Sequence, residues 1–394
     1  MRESDYPMRP TWLEINVDAI TNNVKQIRRY LAPSCVLMAV VKANAYGHGA
    51  TGVAKVALQA GASRLAVATL AEAIELRLSG IECPILVLGY TPARLAPEAM
   101  HHHITLTVYD YESIMALQQA AAAASQSITV HIKINTGMNR LGLSVQDAPQ
   151  FLQAIQHFTG VEVEGIFTHF ATSDLADKHF ANQQFHRFSQ LLAQLEQAGL
   201  RPPLAHAANS AAIITMPQTH LQMVRAGIAL YGLHPDPEET RLPASFQPAL
   251  QWKAQIAHLL HIQPGDSVSY GQEFVAKQPM TVAVMPVGYA DGFPRTAHNW
   301  QNVLIAGQAA PIIGRICMDQ TMVNVTHIVM NSGSLTQGDE IVLIGRQGTA
   351  EISVDEIAKR LQTNNYDVVS RILSRTPRIF VKGANSLPLC HTQL

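Results

Sequence analysis

The sequence is poor in cysteine and in charge. Four of its 394 residues are cysteine, and Cys35, Cys83, Cys317 and Cys390 form no CxxC pair and no disulfide framework. This usage predicts a reducing compartment. Charged residues make up 14% of the chain and the formal net charge is −1. Such a balance does not favour nucleic acid or an anionic membrane as a partner.

Long apolar runs are also missing. No run approaches the roughly 20 residues that cross a bilayer, and the first residues carry no apolar segment of the signal-peptide type. We therefore expect a cytoplasmic protein without a membrane partner. The histidine run at 101–103 lacks neighbouring cysteine and acidic ligands, so no metal site is expected.

Apolar residues are abundant, at 47% of the chain, and 394 residues suit two domains. Over residues 11–240, strand-like runs alternate with amphipathic stretches, which predicts a (β/α)8 barrel. The alternative is an open doubly wound sheet, but that fold usually shows a GxGxxG turn after its first strand, and this chain has none. The eight strand candidates are Cys35–Val41, Arg64–Thr69, Pro84–Gly89, Ile104–Tyr109, Ile128–Asn135, Val161–His169, Leu204–Asn209 and Met223–Gly227.

The pattern changes after a proline-rich linker that begins at Pro235. Short strand-like runs separated by turn signals then predict a mostly β second domain over residues 246–385. The strand-like residues 11–15 can join this domain. The clearest runs are Ala254–Ile262, Met280–Val287, Asn302–Ile305, Ala309–Gly314 and Glu340–Ile344.

The most informative stretch is Val40–Gly49, in which an apolar run ends at Lys42 and two glycines follow. A lysine at the carboxyl end of a buried parallel strand lies where barrel enzymes do chemistry. A lysine amine has an ordinary pKa of about 10.4. Burial disfavours its charged form and makes it a usable nucleophile. The structural alternative is a lysine whose ammonium reaches solvent from a strand end.

Other polar residues lie at or just after the ends of the later predicted strands: Arg140, His169, Asn209, Ser210 and Arg225. Each alone has a structural explanation, such as a helix cap, a core histidine or an ion-paired arginine. Their shared position at strand ends instead predicts one pocket.

The predicted pocket suits a phosphate. Ser210 offers a hydroxyl and a backbone N–H at a helix start, and Gly227 allows close backbone approach. Arg140 and Arg225 add positive charge, and Tyr46 can donate a hydrogen bond. A lysine beside a phosphate site is what pyridoxal phosphate requires.

These motifs resemble those of the alanine racemases across almost the full chain. The resemblance implies a pyridoxal-phosphate barrel, a β domain and a homodimer with shared active sites. It also implies an enzyme that interconverts L-alanine and D-alanine and supplies D-alanine for peptidoglycan. The matching strings are Val40–Gly49, Thr136–Gly142, the contexts of His169, Asn209–Ser210 and Arg225, then Ser269–Gly271, Gly288–Gly292, Gly314–Asp319 and Asn365–Asp367.

The resemblance also implies a role for individual residues. Lys42 would hold the cofactor and serve as one catalytic base, and Tyr270 of the partner subunit would serve as the other. Arg140 would contact the substrate carboxylate, with Met318 and Asp319 on the same side, and Lys133 matches a lysine that family members can carry as a carbamate. The remaining implied residues are Tyr46, His169, Asn209, Ser210, Arg225, Gly227, Ile228 and Tyr366 around the cofactor, and Tyr289, Arg295 and Arg315 at the entrance.

Two positions depart from the family pattern. Asn135 stands where an aspartate is usual, which leaves the charge role of that position open. Asn364 stands at an entrance position that is usually apolar, which leaves substrate breadth open. A serine racemase or a broad-specificity racemase therefore stays an alternative. A barrel decarboxylase is another, although such enzymes place an acid rather than Arg225 near the cofactor's ring nitrogen. A non-enzymatic cofactor-carrying barrel would lack the second domain that contains Tyr270.

Overall fold

The computed structural model describes residues 8–295 and 300–383, so Cys390 and residues 384–385 of the predicted second domain lie outside the described residues. It contains two compact units. The barrel unit consists of Ile20–Ala45 and Ala50–Gln247. The β unit consists of the chain from Pro248 onward, the N-terminal part up to Ala19, and Tyr46–Gly49.

The first strand, β1 (Thr11–Asn16), belongs to the β unit, and eight parallel strands of the barrel unit follow. Strand β2 pairs with β10, and β5 pairs with β6, which closes the sheet. The predicted (β/α)8 barrel is thus confirmed and the open sheet is wrong. The barrel strands are β2 (Val36–Val40), β3 (Arg64–Val67), β4 (Ile85–Val87), β5 (Thr105–Val108), β6 (Ile128–Asn135), β8 (Val161–Phe167), β9 (Leu204–His206) and β10 (Met223–Ala226), with a short β7 (Leu143–Ser144) beside β6.

Helices alternate with these strands, and side-chain caps stabilise the first turns of several of them. The Asp110 side chain accepts a hydrogen bond from the Ser113 N–H, and Thr69 and Glu72 form a capping box. The helices are α1 (Val17–Arg29), α2 (Lys42–Tyr46), α3 (Ala50–Ala60), α4 (Leu70–Leu78), α5 (Ala96–His101), α6 (Tyr111–Ala124), α7 (Ala148–Ile155), α8 (His179–Gln197) and α9 (Ser210–Thr215). Among the described helices, none has the length and apolarity that a bilayer crossing needs.

The β unit is built on a sheet of ten strands, with a separate two-stranded ribbon. Strand β1 pairs antiparallel with β11 and parallel with β21, so the two ends of the described chain meet in this sheet. The strands are β11 (Leu250–Gln255), β12 (His258–Ile262), β13 (Ser267–Val268), β14 (Phe274–Val275), β15 (Met280–Met285), β16 (Asn302–Ile305), β17 (Gln308–Ile313), β18 (Thr321–Asn324), β19 (Glu340–Gln347), β20 (Ala350–Ile352) and β21 (Arg378–Val381); the helices are α10 (Thr326–Ser332), α11 (Val354–Arg360) and α12 (Asn365–Ser370).

One predicted strand of this unit is wrong. Ala254–Ile262 is not continuous, because the chain changes partner strands at Ile256 and Ala257. The Ile256 N–H donates to Asp339 O, whereas the Ala257 N–H donates to Val284 O. No glycine or proline marks this change, so the sequence gives no local signal for it.

A buried carboxylate explains the motif Gly288–Gly292. The Asp291 side chain is fully buried and accepts hydrogen bonds from Arg9 Nη1 at 2.6 Å, Arg375 Nε at 2.8 Å and the Gly288 N–H at 3.0 Å. Burial by itself raises the pKa of Asp291, but these hydrogen bonds outweigh it and lower the pKa below its usual value. The ionised carboxylate therefore stabilises the β unit at neutral pH.

We expect Asp291→Asn to destabilise the protein by about 3 kcal/mol at pH 7, because two arginines lose their buried anion. The folded-state pKa is depressed, so the stabilisation is present above the unfolded pKa of about 3.9 and is lost as pH falls through the folded value. Differential scanning calorimetry of both proteins at several pH values measures this.

The matched control is Glu351→Gln, which breaks the exposed ion pair with Arg346 in the same unit. Its cost should stay below about 1 kcal/mol. Equal costs for the two variants would contradict the structural role of Asp291.

Candidate active site

The short element α2, which Lys42 begins one residue after β2, is a left-handed turn rather than an ordinary helix. Ala43, Asn44, Ala45 and Tyr46 all have φ between 51° and 53°. Each L-residue in this conformation costs roughly 1 kcal/mol, so surrounding contacts must hold the turn in place.

Glu72 supplies much of that support. Its Oε1 accepts a hydrogen bond from the Ala43 N–H at 2.6 Å, and its Oε2 accepts one from the Ala68 N–H at 2.7 Å. The Asn44 side chain closes the other end by accepting from the Ala50 N–H at 2.8 Å. The sequence interpretation missed Glu72, although the capping box that it forms with Thr69 was a readable signal.

The turn ends at Gly47, whose φ is 81°. A Cβ at this position would lie 2.1 Å from the Val369 carbonyl oxygen, so a side chain does not fit there. Tyr46 and Tyr366, both implied phosphate ligands, have ring centroids 6.0 Å apart within the β unit. Burial raises the pKa of Tyr46, which keeps its phenol protonated as a donor.

The Lys42 amine is in an environment that favours its neutral form. Its pKa is lowered by burial and, second, by the charge of Arg140, while Glu72 acts in the opposite direction. Lys133 is also buried, and its Nζ lies 4.4 Å from the ring centroid of Phe167. Burial, Arg225 and Arg140 hold the pKa of Lys133 well below its usual value.

Arg225 lies inside the barrel with 3% of its surface exposed. Its Nη1 lies 2.7 Å from His206 Nδ1, and its Nη2 donates to Thr168 O at 2.8 Å and Ala207 O at 2.9 Å. Nη2 also lies 3.2 Å from His169 Nδ1. Burial lowers the pKa of Arg225 to about 9, so the group stays cationic at pH 7.

His169 is held neutral by its surroundings. Burial and the charge of Arg225 place the pKa of His169 well below its usual value. A neutral imidazole can accept the Arg225 hydrogen bond at Nδ1. Sequence reasoning missed His206, which contacts the same guanidinium from β9 and whose pKa is also well below the usual value, because of burial and Arg225.

The predicted phosphate segment begins at the start of α9. Asn209 caps this helix by accepting from the Ala212 N–H at 3.1 Å. Ser210 Oγ accepts hydrogen bonds from the N–H groups of Gly227 at 2.9 Å and Ala229 at 3.3 Å. The Ser210 hydroxyl therefore joins α9 to the segment after β10, where Ile228 is buried.

Asn135 is the last residue of β6, and Arg140 lies in the segment that follows it. The Asn135 side chain accepts from the N–H groups of Gly137 and Asn139 and donates to Asn139 Oδ1 at 2.9 Å. An ionised aspartate would lack that donor. Arg140 is exposed, yet its charge lowers the pKa of Lys42, Lys133 and His169. Asn364, the other departure, caps α12 by accepting from the Asp367 N–H at 2.9 Å.

The remaining implied residues lie in the β unit. Tyr270 is 70% exposed. Its neighbour Ser269 donates from Oγ to Arg315 O at 2.6 Å, and the Tyr289 N–H donates to Cys317 O at 3.1 Å. These two bonds place the segments that contain Tyr270 and Tyr289 beside the segment that contains Arg315 and Met318. Asp319 accepts from Arg375 Nη2 at 2.8 Å, and Arg295 is exposed.

The expectation that the histidine run at 101–103 has no acidic neighbour is wrong. His102 Nε2 lies 4.0 Å from Glu98 Oε2, and His101 is the last residue of α5. Within residues 8–295 and 300–383, no group of three histidine, cysteine or acidic side chains is arranged to hold a metal ion.

A closed barrel with amines and guanidinium groups at the carboxyl ends of its strands has the layout of a barrel enzyme. The model of the alanine racemase N-terminal domain matches residues 15–235, and that of the alanine racemase C-terminal domain matches residues 249–380. The chain belongs to the alanine racemase family of enzymes.

Individual relatives agree with this membership. The alanine racemase of Methanococcus maripaludis is 44% identical over 94% of this chain and 99% of its own length. The crystal structure of the Bacillus anthracis alanine racemase with bound L-Ala-P is 38% identical, with a TM-score of 0.90 over 96% of this chain and 97% of that one. A histidine racemase from Leuconostoc mesenteroides is 31% identical, with a TM-score of 0.87 over 96% and 99% of the two chains.

We expect Glu72→Gln to destabilise the barrel unit by about 2 kcal/mol, because a charged acceptor of three backbone N–H groups is replaced by a neutral amide. Hydrogen exchange should show faster exchange at Ala43 and Ala68, measured by mass spectrometry on short peptides. Glu75→Gln, on the same helix, is the control. Unchanged protection at Ala43 in the Glu72 variant would remove this residue as the support of the turn.

Proposed function

We propose that the protein is a pyridoxal-phosphate-dependent racemase that interconverts L-alanine and D-alanine. The observation that carries this proposal is the unbalanced positive charge of the barrel's carboxyl edge. The charge of Arg140 lowers the pKa of Lys42 and Lys133, and the charge of Arg225 lowers that of Lys133, in each case after burial. Within the described residues none of these four cations forms an ion pair with a carboxylate. Such a site favours anions, and both a cofactor phosphate and an amino-acid carboxylate are anions.

The residues present fit pyridoxal phosphate. All four hydrogen bonds of Arg225 to described residues use Nη1 or Nη2. None of them uses the Nε–H group, which could therefore donate to the cofactor's ring nitrogen. Ser210 Oγ accepts two N–H groups and retains its own proton to donate to a phosphate oxygen. The other proposed phosphate ligands are Tyr46, Gly227, Ile228 and Tyr366, with Asn209 and His169 as supports.

When bound, pyridoxal phosphate supplies an electron-withdrawing ring that stabilises negative charge at the amino acid's Cα. Racemisation further needs a proton-transfer group on each face of that carbon. Lys42 is the proposed group on one face, and its lowered pKa increases the fraction of neutral amine at pH 7. Tyr270 of the partner subunit is the proposed group on the other.

Arg140 is the proposed contact for the substrate carboxylate, with Met318 and Asp319 of the partner subunit on the same side. Tyr289, Arg295 and Arg315 are proposed to line the entrance. The buried amine of Lys133, with its strongly lowered pKa, is suited to carbamate formation, since that reaction needs a neutral amine. A carbamate would also place a negative charge beside Arg140.

The range of amino acids that the proposed racemase accepts besides alanine is a separate part of the proposal. The likeness to a structure described as a histidine racemase favours testing larger amino acids beside alanine and serine. A decarboxylase is disfavoured because a cation, Arg225, occupies the place proposed for the ring-nitrogen partner. We further propose a cytoplasmic enzyme that supplies D-alanine for peptidoglycan; in support, the three described cysteines are free thiols.

We expect the purified protein with added pyridoxal phosphate to convert L-alanine to D-alanine. Chiral chromatography of the reaction mixture measures this conversion, and serine and histidine are tested as substrates in parallel.

Lys42→Ala should lower the rate of racemisation by at least about 1,000-fold, as expected for loss of both the attachment site and a base. Borohydride reduction and peptide mapping should locate the cofactor on Lys42. The matched control is the exposed Lys55→Ala on α3. Cofactor found on Lys55 or Lys133, or carbon dioxide release without racemisation, would refute the proposal.

The proposed sharing of sites between subunits has a symmetry test. Homodimers of Lys42→Ala and of Tyr270→Ala should each be nearly inactive. A purified heterodimer of the two should recover roughly half of the wild-type activity, since it contains one intact and one doubly defective site. A heterodimer as inactive as its parents would place both residues in one chain.

A further inference from the structure

A chain of hydrogen-bonded side chains runs from the buried Arg225 to the partly buried Glu164 and Arg64. Arg225 Nη1 lies 2.7 Å from His206 Nδ1, and His206 Nε2 lies 2.9 Å from His131 Nδ1. His131 Nε2 lies 3.0 Å from Glu164 Oε2. Arg64 closes the chain with two bonds to the Glu164 carboxylate, at 2.7 and 2.6 Å. Five barrel strands, β3, β6, β8, β9 and β10, each contribute one member.

The packing leaves a defined space for this chain. Both histidines are fully buried, and the His206 ring stacks on Phe167 with centroids 4.7 Å apart. Gly165 lies between β6 and β9 in the sheet, and a Cβ there would lie 2.4 Å from His131 Nδ1. A residue with any side chain at this position would displace the His131 ring, whose Nδ1 is the atom that faces His206. The glycine thus permits the contact on which the chain depends.

Donor and acceptor chemistry gives the chain one direction. Arginine is only a donor, so His206 Nδ1 must accept and its proton must lie on Nε2. His206 then donates to His131 Nδ1, which places the His131 proton on Nε2, facing Glu164. An ionised carboxylate is only an acceptor, which fixes the far end.

The ionisation states agree with this direction. Burial, the largest influence, lowers the pKa of His131 and His206, so both are neutral at pH 7. Glu164 raises the pKa of His131, whereas Arg64 and Arg225 lower it; Lys133 also lowers the pKa of His206. Burial by itself raises the pKa of Glu164, but the hydrogen bonds from His131 and Arg64 lower it to about 2.

We propose that Glu164 is a positioning residue for Arg225, which it orients through the fixed tautomers of His131 and His206. If the carboxylate were lost, His131 would be free to place its proton on Nδ1, where it faces the Nε2 proton of His206. His206 would then change tautomer and present a proton to Arg225, and two donors would meet. This inference rests on the proposed function for its catalytic consequence, but the tautomer assignment is independent of it.

The test is long-range ¹H–¹⁵N NMR of histidine-labelled protein without added cofactor, with His131→Asn and His206→Asn used for assignment. In the wild type both residues should be neutral Nε2–H tautomers at about pH 7 to 8, above the ordinary histidine pKa of about 6.5. An Nδ1–H tautomer or a charged imidazole for either residue would overturn the proposal without any further variant.

The variant is Glu164→Gln, and its control is Glu162→Gln, the same substitution at an exposed position of the same strand. Glu164→Gln should shift the His206 signals, although residue 164 does not touch that ring. It should also lower kcat by about tenfold, in the range typical for supporting hydrogen-bond partners. Glu162→Gln should change neither.

The outcomes separate the two proposals. Unchanged His206 signals in Glu164→Gln overturn the positioning role, whether or not kcat falls. A wild-type protein that racemises nothing, but whose His206 signals respond to Glu164→Gln, refutes the proposed function and supports the orienting chain.

Discussion

Buried positive charge is the constraint on which the barrel site depends. The Arg225 guanidinium is almost inaccessible to water, and its described partners are carbonyl oxygens and imidazole nitrogens rather than a carboxylate. Its uncompensated charge lowers the pKa of Lys133, His169 and His206, after burial itself. The histidines therefore serve as neutral acceptors, and the amines tend toward their nucleophilic form. The same imbalance creates the demand for anionic ligands that the proposed cofactor and substrate would meet.

The second constraint is backbone strain next to Lys42. Four consecutive L-residues in the left-handed region are costly, so the turn exists because other groups bind it. Glu72 has two functions there: one oxygen caps its own helix and the other holds the Ala43 N–H. Fixing the turn also fixes where the lysine side chain begins, and the catalytic role proposed for Lys42 requires such a defined position.

In the β unit, a buried carboxylate connects a structural motif to residues of the proposed substrate side. Arg375 binds Asp291 through Nε and Asp319 through Nη2. The two Asp291 neighbours Tyr289 and Ala290 donate their N–H groups to the carbonyls of Cys317 and Met318. The segment that contains Met318 and Asp319 is thus tied to the buried Asp291 from two directions.

Local sequence features determined the repeating elements of this protein. Apolar runs of strand length, separated by amphipathic stretches, predicted all eight barrel strands, because each run fills a buried layer whose periodicity is visible over a few residues. Strand ends also showed where Lys42, Arg140, His169, Ser210 and Arg225 lie in the barrel. The chemical roles proposed for them rest on motif resemblance, since residue type alone left a structural explanation open for each.

Tertiary structure decided what no local pattern encodes. The partner change at Ile256 and Ala257 depends on which strands lie beside them, and the pairing of β1 with β21 joins residues more than 300 positions apart. The contacts of His131 with His206 and Glu164 arise only when the barrel closes and Gly165 leaves room for a ring. Protonation follows from those contacts, because burial, neighbouring charge and hydrogen bonds shift each pKa away from the value that is usual for its residue type.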